Sequence, residues 1–135
     1  MRVIIGMETS GAVRSRLRNK GIEAWSVDLL PSDDNSPYHI QANVFDVLND
    51  DSNWDWGLFH PDCTYLTNSA AWAFKDGPYH QNVKEGILVG AARREAREEA
   101  LEVVRRLMAL PFPHAIENPV GAISTRIKKP TQIIQ

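Results

Sequence analysis

The chain has 135 residues, 43% hydrophobic and 24% charged, with 15 Lys and Arg against 17 Asp and Glu for a net charge of -2. This is the profile of one globular domain over 1–135, large enough to bury a core and without an overall basic field to draw it onto nucleic acid. The lone cysteine, Cys63, excludes an internal disulfide and a zinc site of several thiolates. The N-terminus lacks a signal peptide's apolar stretch, and no run approaches the roughly 20 apolar residues of a membrane helix, so a cytoplasmic protein with no membrane partner is expected.

Arg2-Val3-Ile4-Ile5-Gly6 predicts a first strand buried on both faces. Thr9 or Ser10 caps a helix over about 11–20 that buries Val13 and Leu17, and Gly21 stops it through left-handed backbone. Residues 23–27 form a second strand ending at Asp28, and the Ser-, Asp- and Asn-bearing stretch 31–37 is loop. Asn43-Val44-Phe45 reads as a short third strand and 46–49 as a helical turn. Trp56-Gly57-Leu58-Phe59 is a fourth strand, running out at His60-Pro61-Asp62-Cys63. Residues 64–88 have no period and read mostly as functional loop. The strongest helix covers 91–110, with Ala96, Ala100, Val103, Val104, Leu107 and Met108 on one stripe, and Pro111 and Pro113 close it. His114-Ala115-Ile116-Glu117 is a fifth strand, stopped by Asn118-Pro119, and the tail is basic, then apolar.

Strands alternating with helices imply βαβ units. The expected fold is therefore an α/β, Rossmann-like open sheet, mostly parallel, of about five strands with flanking helices. Ligands of such sheets bind beyond the carboxyl ends of the strands, where the suggestive residues fall. Gly6 and Gly11 bracket a strand-to-helix turn that either admits a ligand to the backbone or is only a tight turn, and Glu8 inside it disfavours a phosphate. Asp28 is either a ribose-binding acid or a turn residue. Cys63, flanked by Pro, Asp and Thr, is either a nucleophile on an accessible loop or a buried small hydrophobe. His60, Lys75 or a helix N-terminus would favour its thiolate, and Asp62 would oppose it. Glu117 is either its partner or a cap. Arg93, Arg94, Arg97, Arg105 and Arg106 form either a basic surface or, with Glu95, Glu98, Glu99 and Glu102, a solvated salt-bridged face. Arg126, Lys128 and Lys129 are the better phosphate candidates.

Together these residues resemble the DNA cytosine-5 methyltransferases, above all the small methyltransferase-like proteins of bacteriophages. Gly6 to Gly11 resembles the family's glycine-bearing loop for S-adenosylmethionine, which carries Glu8 and Ser10 here. Asp28 lies where the ribose-binding acid lies, and Asn43-Val44 where an acid that reads adenine is usual. Pro61-Asp62-Cys63 resembles the Pro-Pro-Cys nucleophile loop, and Glu117-Asn118-Pro119 the Glu-Asn-Val motif. The match runs over nearly the whole chain but only the front half of a full methyltransferase. Asp62 replaces a proline, Thr64 a glutamine and Asn43 the acid.

The resemblance implies methyl transfer from S-adenosylmethionine to C5 of a pyrimidine in DNA or a nucleotide. Cys63 would add to C6 and Glu117 would bond ring nitrogen 3, with Pro61, Thr64 and Asn118 lining the substrate. A base in duplex DNA would have to be flipped out. Two other readings stand beside it. One is an inactive binding protein that engages a host protein or sequesters a nucleotide. The other is a subunit whose sheet is completed by a second copy or a partner chain, to which apolar Ile133-Ile134 would contribute.

Overall fold

A computed structural model describes residues 1–50, 53–80 and 82–135. The chain divides into two compact units, one of residues 1–61 and 107–117, the other of 62–106 and 118–135.

Among the described residues the first unit holds five strands: β1 (Arg2–Gly6), β2 (Glu23–Asp28), β3 (His39–Gln41), β4 (Trp56–Phe59) and β5 (His114–Ile116). All pair in parallel in the order β3-β2-β1-β4-β5. This is the open, Rossmann-like sheet expected. β1 lies between β2 and β4, and Val3, Ile4 and Ile5 are at most 2% exposed, which explains its unbroken apolar run. On one face Val3, Ile5 and Ala24 take Val13 and Leu17 of helix α1 (Ala12–Asn19). On the other, Val44 of α2 (Val44–Asp50) reaches the position above Gly6. Two helices on opposite faces make the sheet doubly wound, and the strand order reverses between β1 and β4.

The third strand differs from expectation. It is His39–Gln41, whereas Asn43 caps α2: its side-chain oxygen accepts from Phe45 N at 2.9 Å and its carbonyl from Asp46 N at 3.1 Å. A short amide side chain that satisfies the first turn of a helix outweighs the strand preference of Val-Phe. The turn expected at 46–49 is the body of this helix. α1 lacks the expected side-chain cap, its N-cap being Gly11 in the left-handed region at φ 70°, although Ser10 Oγ accepts from Ala12 N at 3.2 Å.

Phe59 explains two glycines. A Cβ on Gly57 would meet its ring at 2.7 Å, and one on Gly6 would meet it at 2.8 Å and Val44 at 3.0 Å. The fully buried ring thus lies across β4 and β1 where only hydrogen leaves room. Arg14 is the unexpected core residue of α1. It is 1% exposed and donates to Ser26 Oγ at 2.5 Å and to Asp34. Ser26 Oγ also meets His39 Nδ1 at 2.8 Å, and His39 Nε2 meets Leu30 O at 2.9 Å, so one network ties α1, β2, β3 and the 31–37 loop. Its hydrogen bond from Arg14 holds the Asp34 carboxyl below its usual pKa.

The second unit contains most of α3 (Gly90–Met108), a 3-10 turn (Ala71–Phe74) and α4 (Ala122–Arg126). The stretch 64–88 is not simply loop: Leu66, Ala73 and Phe74 are buried. Gln81, within that stretch, lies outside the described residues. Arg93 donates to Leu88 O at 3.1 Å, Arg94 to Phe74 O at 2.7 Å and Arg97 to Tyr65 O at 2.9 Å. Arg97 also stacks 3.4 Å over Phe74. These three arginines organise the segment, Arg94 also pairing with exposed Asp76, while farther along the helix Arg105 pairs with Glu102 as a solvated salt-bridged face would have it. The predicted stripe of α3 holds, with Leu101 added to its buried residues. Among the described residues no helix is long and apolar enough to cross a membrane.

Gly6→Ala should lower stability by about 1–3 kcal/mol through overpacking against a ring that has nowhere to move, measured as a fall in the urea midpoint at unchanged m-value. Arg14→Ala should cost about 2–5 kcal/mol, as for other large buried side chains. Because the native pKa of Asp34 is depressed, its contribution is complete above the unfolded aspartate value of about 3.9 and is lost as pH falls through the lower native value. The stability gap between wild type and Asp34→Asn should therefore be constant from pH 7 to about 5 and close below about pH 4.

Candidate functional site

The carboxyl end of the sheet gathers the candidates of the first unit. Hydrogen bonding continues one residue past the strands: Met7 N donates to Val27 O at 2.7 Å, His60 N to Gly6 O at 3.0 Å and Glu117 N to Phe59 O at 2.9 Å. The exits of β1, β4 and β5 are thus held as firmly as the strands, and side chains there start from fixed backbone.

Leaving β1, Met7 takes a positive φ of 62° and turns the chain into Glu8. One Glu8 oxygen accepts from the Ser10 hydroxyl; the other, Oε2, is buried with no hydrogen-bond partner. Gly11 turns at φ 70°, and the space beside its Cα belongs to Arg14, whose Cζ would lie 2.8 Å from a Cβ there. Both bracketing glycines therefore have structural tasks, Gly6 under Phe59 and Gly11 over Arg14. Leaving β2, half-buried Asp28 accepts from Leu30 N at 2.9 Å through Oδ1, followed by exposed Leu29 and Leu30. Asn43 is exposed and its side-chain oxygen serves α2.

Leaving β4 and β5, His60 and Glu117 meet, with Nδ1 of the imidazole 3.2 Å from Oε2 of the carboxylate. Glu117 is 64% exposed and His60 27%. His60 Nε2 is buried with no hydrogen-bond partner. The sequence placed His60 only among groups able to favour a thiolate. The signal for its pairing with Glu117 was register: Phe59 faces Ile116 across β4 and β5, so the next residues of both strands leave side by side. Pro61, next in line, is buried.

In the second unit Asp62 Oδ1 accepts from Thr64 N at 2.9 Å and Thr64 Oγ1 at 2.6 Å, closing a tight turn around Cys63. The Cys63 thiol is free and half-buried, and its carbonyl accepts from Leu66 N and Thr67 N at 3.0 and 3.1 Å. The turn is fastened to the segment beyond Asn118. Ala122 N donates to Leu66 O at 2.7 Å, and Thr67 bridges Gly121, where a Cβ would press on Thr67 Cα at 3.0 Å. Asn118 itself is half-buried. Within this unit the residues after the two motif-like pieces, Asp62-Cys63-Thr64 and Asn118-Pro119, are thus hydrogen-bonded neighbours. Arg126 pairs with Glu98, while Lys128 and Lys129 are exposed. Among the described residues no group of three His, Cys, Asp or Glu is placed to hold a metal ion.

The first unit offers a carboxylate with one buried, unpartnered oxygen at the strand-order reversal and an acid–imidazole pair at the exits of β4 and β5; the second unit offers a free thiol on a short, fastened turn. No family model, no curated protein and no solved structure matches the chain.

Proposed function

We propose that this protein is an S-adenosylmethionine-dependent methyltransferase acting on C5 of a pyrimidine, as a base in DNA or as a nucleotide. The observation that carries this is the unpartnered, buried Glu8 oxygen at the β1 exit, where strand order reverses. A carboxylate in that position repels a pyrophosphate and suits a ligand bearing a sulfonium and an ammonium. Asp28 fits a ribose, because a carboxylate that holds Leu30 N through one oxygen keeps lone pairs for hydroxyls. Asn43 fits less well, since its oxygen serves α2, so the adenosyl contacts assigned here rest on Glu8 and Asp28.

S-adenosylmethionine supplies the methyl group when bound; the chain supplies the rest. The Cys63 thiolate adds to C6, and the displaced electron pair makes C5 nucleophilic toward the methyl carbon. Glu117, in its acid form, would donate its proton to ring nitrogen 3 and so neutralise the negative charge that develops there. As C5 bonds the methyl carbon the carbon–sulfur bond of the sulfonium would break, releasing S-adenosylhomocysteine, and the C5 proton would then pass to solvent water while the C5–C6 double bond re-forms and the thiolate leaves. Asp62, the residue that opposes a thiolate, is engaged by the backbone and hydroxyl of Thr64. A second reading is binding without turnover, and the use of Asn43 and Gly11 by the fold itself favours it.

Calorimetry with S-adenosylhomocysteine and transfer of labelled methyl to duplex DNA and to pyrimidine nucleotides test both. Wild type should bind with a dissociation constant of about 1 μM–1 mM and transfer methyl. Cys63→Ala should bind equally and lose transfer by at least ~10³-fold, whereas Glu8→Gln should weaken binding about tenfold. Binding without transfer by wild type would select the second reading, and no binding at millimolar ligand would remove the first.

A further inference from the structure

His60 has no role in the chemistry above, yet it leaves the carboxyl end of β4 from firmly held backbone. Buried Phe59 and Pro61 flank it, and its amide is bonded to Gly6 O. Only one ring nitrogen has a partner. Nδ1 meets Glu117 Oε2 at 3.2 Å, while Nε2 is buried without one. A side chain kept for packing alone would not bring an unsatisfied nitrogen out of water, since an apolar residue fills the same volume without that penalty. The Nδ1 contact is therefore what histidine contributes here. The tautomer matched to this contact carries its proton on Nδ1, aimed at Oε2.

Glu117 is largely exposed, and an exposed glutamate ordinarily samples several rotamers. Its backbone is held by Phe59 O. His60 is the one side-chain partner the described contacts give it, and it bonds only one of the two carboxylate oxygens. We propose that His60 is the positioning residue of Glu117: its Nδ1–H holds Oε2 and so presents the acid proton on Oε1 to the ring nitrogen of the pyrimidine. This rests on the methyl-transfer assignment of Glu117. Preorganising an acceptor or donor before substrate arrives affects the chemical step more than cofactor binding.

The test compares wild type, His60→Leu and His60→Asn at full length, with Asn chosen because its side-chain amide nitrogen overlays Nδ1. Methyl transfer is measured as kcat and KM separately, affinity for S-adenosylhomocysteine by calorimetry, and folding by urea midpoint. His60→Leu should lower kcat by about 10–100-fold, with affinity for S-adenosylhomocysteine within twofold of wild type. It should be at least as stable as wild type because the orphan nitrogen is gone. His60→Asn should recover most of the lost kcat. In wild type, nitrogen NMR of the imidazole should show the Nδ1–H tautomer, altered in Glu117→Gln. An active wild type with undiminished kcat in His60→Leu would overturn the inference alone, as would His60→Asn behaving like His60→Leu or an Nε2–H tautomer. A wild type with no methyl transfer would overturn the assignment of Glu117 and this inference together.

Discussion

The pairing of β1 with both β2 and β4 is the constraint from which the rest follows. A strand with neighbours on both edges and helices on both faces leaves the chain one route outward, to β2 and β3 on one side and β4 and β5 on the other. All five strands are parallel, so every exit falls on the same end of the sheet. Ladder bonds that extend past Gly6, Phe59 and Ile116 convert three of those exits from loops into fixed backbone. A site assembled there inherits the rigidity of the most buried strand in the chain.

Where burial dictates residue type, the sequence was readable. β1, β2 and β4 fall within a residue of expectation because Val3, Ile4, Ile5, Ala24, Val27 and Phe59 are almost wholly removed from water. β3 was missed because it is an edge strand without apolar alternation. It is held by parallel pairing to β2 and by His39, whose two ring nitrogens meet Ser26 and Leu30. The residues taken for it carried strand-like side chains, but Asn43 settles the local competition as a cap. The candidate site divides the same way. Glu8, Asp28 and Glu117 were legible as polar groups at strand ends, and Cys63 as a residue of the loop beyond β4. The pairing of His60 with Glu117 was not, because it joins residues 57 apart through strand register.

The arginines show why composition misleads about surface. Arg14 lies one residue from Val13 and three from Leu17, on the face of α1 that the apolar pattern assigns to the core, and that face is where it is found. A charge on a buried helical face demands partners, and Ser26 and Asp34 supply them. Arg93, Arg94 and Arg97 bond the carbonyls of Leu88, Phe74 and Tyr65, which orders a stretch whose own residues carry no period. Arg105 and Arg126 pair with Glu102 and Glu98. The positive charge left to follow a phosphate backbone is therefore much less than 15 basic residues suggest.

Charge at the exits of the first unit points the other way. Glu8, Asp28 and Glu117 leave β1, β2 and β5, so three of five strand ends present a carboxylate. Among these, Asp28 and Glu117 each have one oxygen engaged by a neighbour, and Glu8 keeps a buried oxygen without one. Two unit charges about 4 Å apart interact by about 4 kcal/mol at an effective dielectric of 20, enough to decide which ligand enters. An acidic rim on an open parallel sheet disfavours the polyphosphates such sheets often bind, and the adenosyl ligand proposed above, which carries positive charge, is matched to it. Under that proposal Glu8 takes the place that a glycine-rich phosphate loop takes in other open α/β sheets: the turn after the first strand, with a carboxylate there selecting against negative charge instead of for it.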